Sequence, residues 1–169
     1  MEIYLIRHGI AHPLGQKNEF TDEKRTLTPQ GRERMREVAR GLRRLGIKLD
    51  LIMSSTLARA EETANIVAEA MGIDEKLIVK TANLAPGARI SDITSEIKQQ
   101  NVPRSVALVG HEPLLGYLAG ALACRDSHSS IPLKKGGACF IEVVETVPEF
   151  RGNLVWLATP RQLRLIGKV

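Results

Sequence analysis

Two histidines and two arginines carry the strongest chemical signal in this sequence. His8 lies between Arg7 and a glycine, and His111 lies between a glycine and a glutamate. Arg59 falls where a helical pattern begins after an apolar run. Guanidinium groups can hold phosphoryl oxygens through paired hydrogen bonds, and a neutral imidazole can attack phosphorus. These residue types predict a site for a phosphoryl group.

The elements that would position these residues alternate between strand and helix. Six apolar runs are of strand type: Ile3–Ile6, Leu51–Met53, Leu77–Val79, Val106–Val109, Ala138–Val144 and Leu154–Ala158. Helical spacing fills the gaps between the earlier runs, whereas the last two are joined without room for a helix. We predict an α/β fold, a three-layer α/β/α sandwich whose mostly parallel sheet has an antiparallel edge strand. We also expect a single domain over residues 1–169.

The positions of the four residues in this pattern favour one shared site. His8 and His111 each follow a predicted strand, and Arg59 opens the helix after a third. Ligands of open parallel sheets bind beyond the carboxyl ends of the strands. An arginine in the first helical turn opposes the helix dipole, which a bound anion would offset. As a structural alternative, Arg59 could pair with Glu61 or Glu62 on the helix surface.

Other polar residues have weaker assignments. Ser54 and Ser55 are expected to cap the helix that carries Arg59, and Ser55 is also a candidate for anion contact. His12 and His128 are expected to be polar loop residues. No cysteine or acidic residue is spaced to complete a zinc set with the histidines, so no metal is predicted. A Walker loop and a G-x-S-x-G nucleophile motif are both absent from the sequence.

Composition and charge bound the class of protein. The 169 residues are 43% apolar and carry a net charge of +5, as suits a folded domain with an anionic ligand. Three Phe, two Tyr and one Trp are too few for a base-stacking surface, so no nucleic-acid partner is expected. No apolar run could span a bilayer, and Cys124 and Cys139 fit free thiols. We therefore expect a cytoplasmic protein with no membrane partner.

The motifs together resemble the histidine phosphatase superfamily, which has the phosphoglycerate-mutase-like fold. Residues 7–9 (RHG) resemble its signature, and residues 27–31 (LTPQG) resemble its LTxxG helix start. Residues 55–63 (STLARAEET) resemble its SxxxRAxxT segment, and residues 109–113 (VGHEP) resemble its second-histidine motif. The chain order of these motifs is also that of the family.

Three features narrow the resemblance: the short length, Arg25 just before the LT motif, and residues 84–87 (LAPG). With them the chain looks most like the SixA-type protein phosphohistidine phosphatases of this superfamily. That resemblance implies hydrolysis of phosphohistidine on a phosphotransfer protein, with phosphate as product and no cofactor. It implies that His8 is the nucleophile that becomes phosphorylated, while Arg7, Arg59 and His111 hold the phosphoryl oxygens. Arg25, which stands just before the LT motif, would contribute to the rim of the pocket and bind substrate.

One departure from the wider superfamily bears on the substrate. Its mutases and many of its phosphomonoesterases carry a carboxylate acid after the third strand, where residues 81–87 (TANLAPG) have none. An alkoxide leaving group needs a proton from such an acid, and loss of the acid typically lowers the rate by about 10²–10⁴-fold. A departing imidazole is far less basic and needs the proton less. This favours phosphohistidine over phosphate esters. Four carboxyl groups could still serve as the acid: Glu19, Asp22, Glu23 and Glu112.

Two alternatives stay open at this point. The first is a phosphatase for small phosphomonoesters of the same superfamily, and the second is a non-catalytic module that binds phosphate or phosphopeptides. The second alternative does not require a nucleophile at position 8. For catalysis we expect a two-step reaction in which neutral His8 attacks phosphorus, with a backbone carbonyl fixing its tautomer. Arg7 and Arg59 would disfavour the protonated form of that imidazole.

Overall fold

A six-stranded sheet forms the centre of the computed structural model, which describes residues 1–15, 21–100, 104–124, 126, 128–146 and 149–168. Its strands are β1 (Glu2–Arg7), β2 (Leu51–Ser55), β3 (Ile78–Thr81), β4 (Ser105–Gly110), β5 (Ala138–Glu145) and β6 (Arg151–Ala158). They lie in the order β3-β2-β4-β1-β5-β6. The strands on which the three predicted site segments depend, β2, β4 and β1, are therefore neighbours.

Strand direction agrees with the predicted α/β class. β1 pairs in parallel with β4, with Arg7 opposite Gly110, and β2 pairs in parallel with both β3 and β4. β5 pairs antiparallel with β1 and with β6, so the antiparallel pairing predicted from the short β5–β6 connection is confirmed. The strand that runs against the others is β5, one place inside the edge strand β6.

Five helices flank this sheet in the described part of the chain: α1 (Pro29–Arg44), α2 (Ala58–Met71), α3 (Ile90–Gln99), α4 (Leu114–Cys124) and α5 (Pro160–Ile166). Short 3-10 turns lie at Glu75–Leu77 and Ala82–Leu84, so the third strand begins one residue later than its apolar run predicts. None of the described helices has the length and apolar character that crossing a bilayer demands.

The apolar core lies on both faces of the sheet. β4 is buried at every position, because Val106 and Leu108 face one apolar cluster while Ala107 and Val109 face another. The first cluster includes apolar residues of α3 and α4, and the second includes those of α1, α2 and α5. This is the predicted three-layer arrangement. A strand enclosed on both faces holds its carboxyl end, and hence His111, in a fixed place.

Candidate active site

The carboxyl ends of β1 and β4 and the start of α2 bring three predicted residues into direct contact. The His8 backbone N–H donates to the Gly110 carbonyl oxygen at 3.1 Å, which fixes His8 beside the end of β4. The ring centroids of His8 and His111 are 4.9 Å apart. Arg59 is the second residue of α2, and its Nε lies 3.3 Å from His8 Nε2. The sequence prediction of one shared site agrees with this geometry.

The His8 imidazole is held in a defined tautomer. Its Nδ1 lies 2.7 Å from the Gly9 carbonyl oxygen, which can only accept, so Nδ1 carries the proton and Nε2 carries the lone pair. The side chain is buried, with 6% of the residue exposed. Burial, followed by the charges of His111, Arg59 and Arg7, lowers the pKa of His8 to about 3, although the Gly9 hydrogen bond acts in the opposite direction. His8 is therefore neutral at physiological pH.

His111 is supported by the serine that ends β2. Its Nε2 lies 2.9 Å from Ser55 Oγ, which also accepts the Leu57 backbone N–H at 3.3 Å. With its acceptor side used by Leu57, the Ser55 hydroxyl donates its hydrogen bond to the lone pair of His111 Nε2, and the ring then carries its own hydrogen on Nδ1. Burial and the neighbouring Arg59 lower the pKa of His111 to about 4. Ser55 touches His111, while the predicted anion contact of Ser55 stays a prediction.

Two buried nitrogen atoms of this cluster have no hydrogen-bond partner among the described residues: Arg7 Nε and His111 Nδ1. The rest of the Arg7 side chain is anchored, since Nη1 donates to the Leu133 carbonyl oxygen at 2.7 Å. An unpaired buried donor costs about 1–3 kcal/mol. An anion that accepted hydrogen bonds from both atoms would remove that cost, which is the behaviour expected of a phosphoryl-binding site.

Asp22 occupies the outer donors of Arg59. Arg59 Nη2 donates to Asp22 Oδ2 at 2.9 Å, and Nη1 donates to the Asp22 carbonyl oxygen at 2.7 Å. Arg25 Nη1 donates to the other carboxylate oxygen at 2.7 Å, while Arg25 Nε donates to the His12 carbonyl oxygen, also at 2.7 Å. Burial raises the pKa of the Asp22 carboxyl, but the hydrogen bonds from Arg59 and Arg25 outweigh it and hold that pKa below its ordinary value.

The surface pairing considered for Arg59 is not formed. Glu61 is paired with Lys80 at 2.9 Å, and Glu62 is paired with Arg32 at 2.8 Å. Arg59 instead turns inward and is 5% exposed. Burial of a guanidinium group beside two histidines is costly unless an anion compensates it. In this structure the Asp22 carboxylate is that anion.

The other candidate acids and the two loop histidines differ in their exposure and contacts. Glu23 is exposed and its carbonyl oxygen accepts the Ala58 N–H, and Glu112 accepts the Leu133 N–H at 2.8 Å. Glu19 lies outside the described residues. His128 is exposed, as predicted for a loop residue, but the loop residue His12 is buried.

The predicted capping of α2 by serine is wrong. The N-cap is Leu57, which forms no side-chain cap hydrogen bond. Ser54 Oγ donates to the Ser55 carbonyl oxygen, and Ser55 Oγ is engaged with His111 as described above. The strand continues through Ser55, so Ser55 and Ser54 lie two and three residues before the N-cap position. Both serines are buried, and there Ser54 bonds to the next residue whereas Ser55 bonds to His111 on the neighbouring strand end.

Thr63 is a site residue whose contacts the sequence patterns do not predict. Its Oγ1 accepts the Gly9 backbone N–H at 3.1 Å and donates to the Arg59 carbonyl oxygen at 2.7 Å. One fully buried hydroxyl thus ties the loop after His8 to the first turn of α2. The threonine that ends the SxxxRAxxT segment was the signal available, but the motif alone does not show what it contacts.

Metal-ligating residues do not cluster in the described ranges. No three His, Cys, Asp or Glu side chains there are grouped as a metal ion would require. The chemistry available to the site is that of imidazole, guanidinium and carboxylate groups. A lone pair on His8 Nε2, with donors from Arg59, Arg7 and His111 beside it, suits attack on an anionic electrophile.

The two buried histidines are expected to make the protein less stable in acid. Their ordinary pKa of 6.5 falls to about 3 and about 4 in the folded state, so the unfolded chain takes up protons first as the pH drops. Each histidine then costs about 1.4 kcal/mol of unfolding free energy per pH unit below about pH 6.5, or about 2 kcal/mol by about pH 5. Urea denaturation at about pH 6.5 and about pH 5 measures this loss of unfolding free energy. The loss should be smaller in His111→Asn, which has one buried histidine fewer. Equal wild-type stability at both would contradict it.

Comparison with known proteins assigns the family. Residues 3–85 match the model of the histidine phosphatase superfamily (branch 1). An uncharacterized protein of Picosynechococcus sp. (strain PCC 7002) is 34% identical over 140 residues, which cover 81% of this chain and 82% of that protein. The chain belongs to the histidine phosphatase superfamily. By class it is a phosphatase, as the motifs predicted.

The chain is also similar to a further sequence relative and to a solved structure. The mitochondrial serine/threonine-protein phosphatase Pgam5 of Drosophila willistoni is 39% identical over 88 residues, which cover 52% of this chain but only 29% of that protein. The structure of the protein histidine phosphatase SixA complexed with tungstate superposes with a TM-score of 0.83. That match is 22% identical and covers 96% of this chain and 99% of SixA, so it confirms the predicted fold.

Proposed function

We propose that this chain is a protein phosphohistidine phosphatase that forms a phospho-His8 intermediate. The observation that carries the proposal is the buried, neutral His8 imidazole, whose Nδ1 is bound to the Gly9 carbonyl oxygen and whose Nε2 lone pair faces Arg59. Such a group is a nucleophile without needing to lose a proton. A module that only binds phosphate has no use for it.

In the first step, His8 Nε2 forms a bond to phosphorus while the bond from phosphorus to the substrate nitrogen breaks. The departing imidazole takes a proton from solvent. In the second step, a water oxygen forms a bond to phosphorus while the bond from phosphorus to His8 Nε2 breaks. The electron pair returns to Nε2 as its lone pair, the water proton passes to the released phosphate or to solvent, and phosphate leaves. Arg7 Nε, Arg59 and His111 Nδ1 would hold the three equatorial oxygens, over which the transition-state charge is spread. Arg59 must exchange Asp22 for the phosphoryl group as the substrate enters.

The supporting residues then have indirect roles. Ser55 would fix the His111 ring, since its Oγ contacts Nε2 and leaves Nδ1 available. Arg25 would act at the rim of the pocket, where it holds Asp22 and the His12 carbonyl oxygen. The free thiols of Cys124 and Cys139 support a cytoplasmic location, where the substrate would be a phosphotransfer protein.

The leaving group favours a phosphorus–nitrogen bond over an ester. Residues 81–87, which lack a carboxyl group, do border the site, because the Leu84 carbonyl oxygen lies 3.2 Å from where a Cβ on Gly110 would sit. In the free protein the hydrogen bonds from Arg59 and Arg25 hold the pKa of the Asp22 carboxyl below its ordinary value, and Arg25 can keep its bond to that carboxylate after Arg59 turns to the phosphoryl group. An alkoxide would therefore leave slowly, whereas an imidazole leaves without strong acid assistance. The structural similarity to the protein histidine phosphatase SixA supports the same choice.

A substrate series tests this proposal. We expect kcat/KM for a phosphohistidine-bearing phosphotransfer protein to exceed that for sugar phosphates by about 10²-fold or more, the value of general-acid assistance. An aryl phosphate ester with an acidic phenol should fall between them, because its leaving group needs little protonation. Faster turnover of sugar phosphates would favour the small-phosphomonoester alternative. Tight phosphate binding without turnover of any substrate would favour a binding module.

A further inference from the structure

The segment of residues 129–137, which we call the 129–137 strap, holds Arg7 from three directions. Its Gly137 carbonyl oxygen accepts the Arg7 backbone N–H at 3.0 Å, and its Gly136 N–H lies 3.1 Å from the carbonyl oxygens of both Arg7 and His8. Its Leu133 carbonyl oxygen accepts Arg7 Nη1 at 2.7 Å. The position of the Arg7 side chain thus depends on the position of Leu133.

The strap is itself fastened to α4 through two glycines. The Ile131 backbone N–H donates to the Gly116 carbonyl oxygen at 2.9 Å. A Cβ on Gly120 would lie 2.0 Å from the Ser129 carbonyl oxygen, so this close approach requires the absence of a side chain. These contacts fix the first half of the strap on the helix that follows His111.

Glu112 fixes the second half. Its Oε1 accepts the Leu133 backbone N–H at 2.8 Å, and the Leu133 side chain is buried with 2% of the residue exposed. The two polar backbone atoms of Leu133 therefore link the Glu112 carboxylate to the Arg7 guanidinium. Glu112 Oε2 lies 2.7 Å from where a Cβ on Gly116 would sit, which places that oxygen against α4.

We propose that Glu112 is a positioning residue that aims Arg7 Nε at the phosphoryl group by holding Leu133 in place. This role rests on the proposed function, and it differs from that of a general acid, for which Glu112 was a sequence candidate. Arg7 keeps Nη1 on the strap and Nε without a partner among the described residues. A shift of Leu133 would turn that unpaired donor away from its target.

Two substitutions at Glu112 separate the two roles. Glu112→Ala removes the acceptor for the Leu133 N–H, and we expect kcat/KM to fall by about 10- to 100-fold, as small misplacements of catalytic groups do. Glu112→Gln retains an acceptor oxygen and should stay within about threefold of wild type, since only charge assistance is lost. Glu145→Ala, at an exposed glutamate paired with Arg151, is the matched control and should be neutral. Circular dichroism and thermal melts check folding of each variant.

The pH profile and a double-mutant cycle complete the test. A positioning role predicts that Glu112→Gln keeps the wild-type pH profile, and that Glu112→Ala costs little further activity once Arg7 is replaced by alanine. Equal impairment of Glu112→Gln and Glu112→Ala, or full additivity with Arg7→Ala, would overturn the inference. Wild-type activity in Glu112→Ala would overturn it as well.

Binding of orthovanadate, measured by calorimetry, keeps this inference separate from the proposed function. If the wild-type protein released no phosphate from any substrate, the proposed function would fail, but the positioning role would still predict weaker orthovanadate binding in Glu112→Ala than in Glu112→Gln. Identical affinities in the two variants would overturn the role of Glu112 irrespective of catalysis.

Discussion

Replacement of His8 by asparagine is expected to lower kcat for phosphohistidine by about 10⁴-fold or more, the scale seen when a nucleophile is removed from an otherwise complete site. Asparagine can still donate to the Gly9 carbonyl oxygen, so the loop after β1 should stay in place. What it lacks is the lone pair that His8 Nε2 presents beside Arg59. Steady-state phosphate release at saturating substrate gives kcat directly.

The same variant should bind phosphate nearly as well as the wild-type protein. The groups assigned to the phosphoryl oxygens, Arg7 Nε, Arg59 and His111 Nδ1, are all retained, so the loss should fall on the chemical step. The control is His128→Asn, which removes an exposed histidine and should leave kcat unchanged. Turnover at the wild-type rate in a folded His8→Asn protein would exclude His8 as the nucleophile.

Replacement of Arg59 by alanine is expected to lower kcat/KM by about 10²–10³-fold, comparable to the loss of an oxyanion-hole donor. Arg59 presents Nε to His8 and both Nη atoms to Asp22, all within 3.3 Å. Lysine supplies the charge but not the planar fork, so Arg59→Lys should recover only part of the loss. Kinetics on the phosphohistidine substrate measure both variants.

Arg32→Lys is the matched control for the arginine series. Arg32 forms a two-point ion pair with Glu62 between α1 and α2, so the substitution changes a half-buried arginine fork that lies away from His8. We expect this variant to keep full activity. If Arg59→Lys were as active as Arg32→Lys and the wild-type protein, the planar donors of Arg59 would have no role in holding the phosphoryl group.

The sheet and the edge at which the site lies follow from local patterns. Short apolar runs alternate with helical spacing, and residues that follow successive parallel strands must meet at one edge. That rule is sufficient to place His8 beside His111 and to bring in Arg59 from the start of α2. Thr28 and Pro29 likewise predict where α1 begins, and the Thr28 hydroxyl accepts the Gly31 N–H at 2.9 Å as expected.

Contacts made by loops could not be predicted in the same way. Asp22 reaches Arg59 across 37 residues of sequence, and Leu133 reaches Arg7 across 126 residues. Neither segment has a periodic pattern, because its position is set by side chains on other elements. Helix α5 is not predicted from the apolar pattern either, because its seven residues are too few to show helical periodicity above chance.

Mapping of the phosphoryl group on the wild-type protein tests the central claim most directly. The protein is mixed with a radiolabelled phosphohistidine donor, quenched in alkali within the first turnover, digested, and analysed by mass spectrometry. We predict an alkali-stable and acid-labile label on His8, which appears before free phosphate and decays as phosphate is released. Phosphate release with no label on His8, or with the label on another residue, would contradict the account.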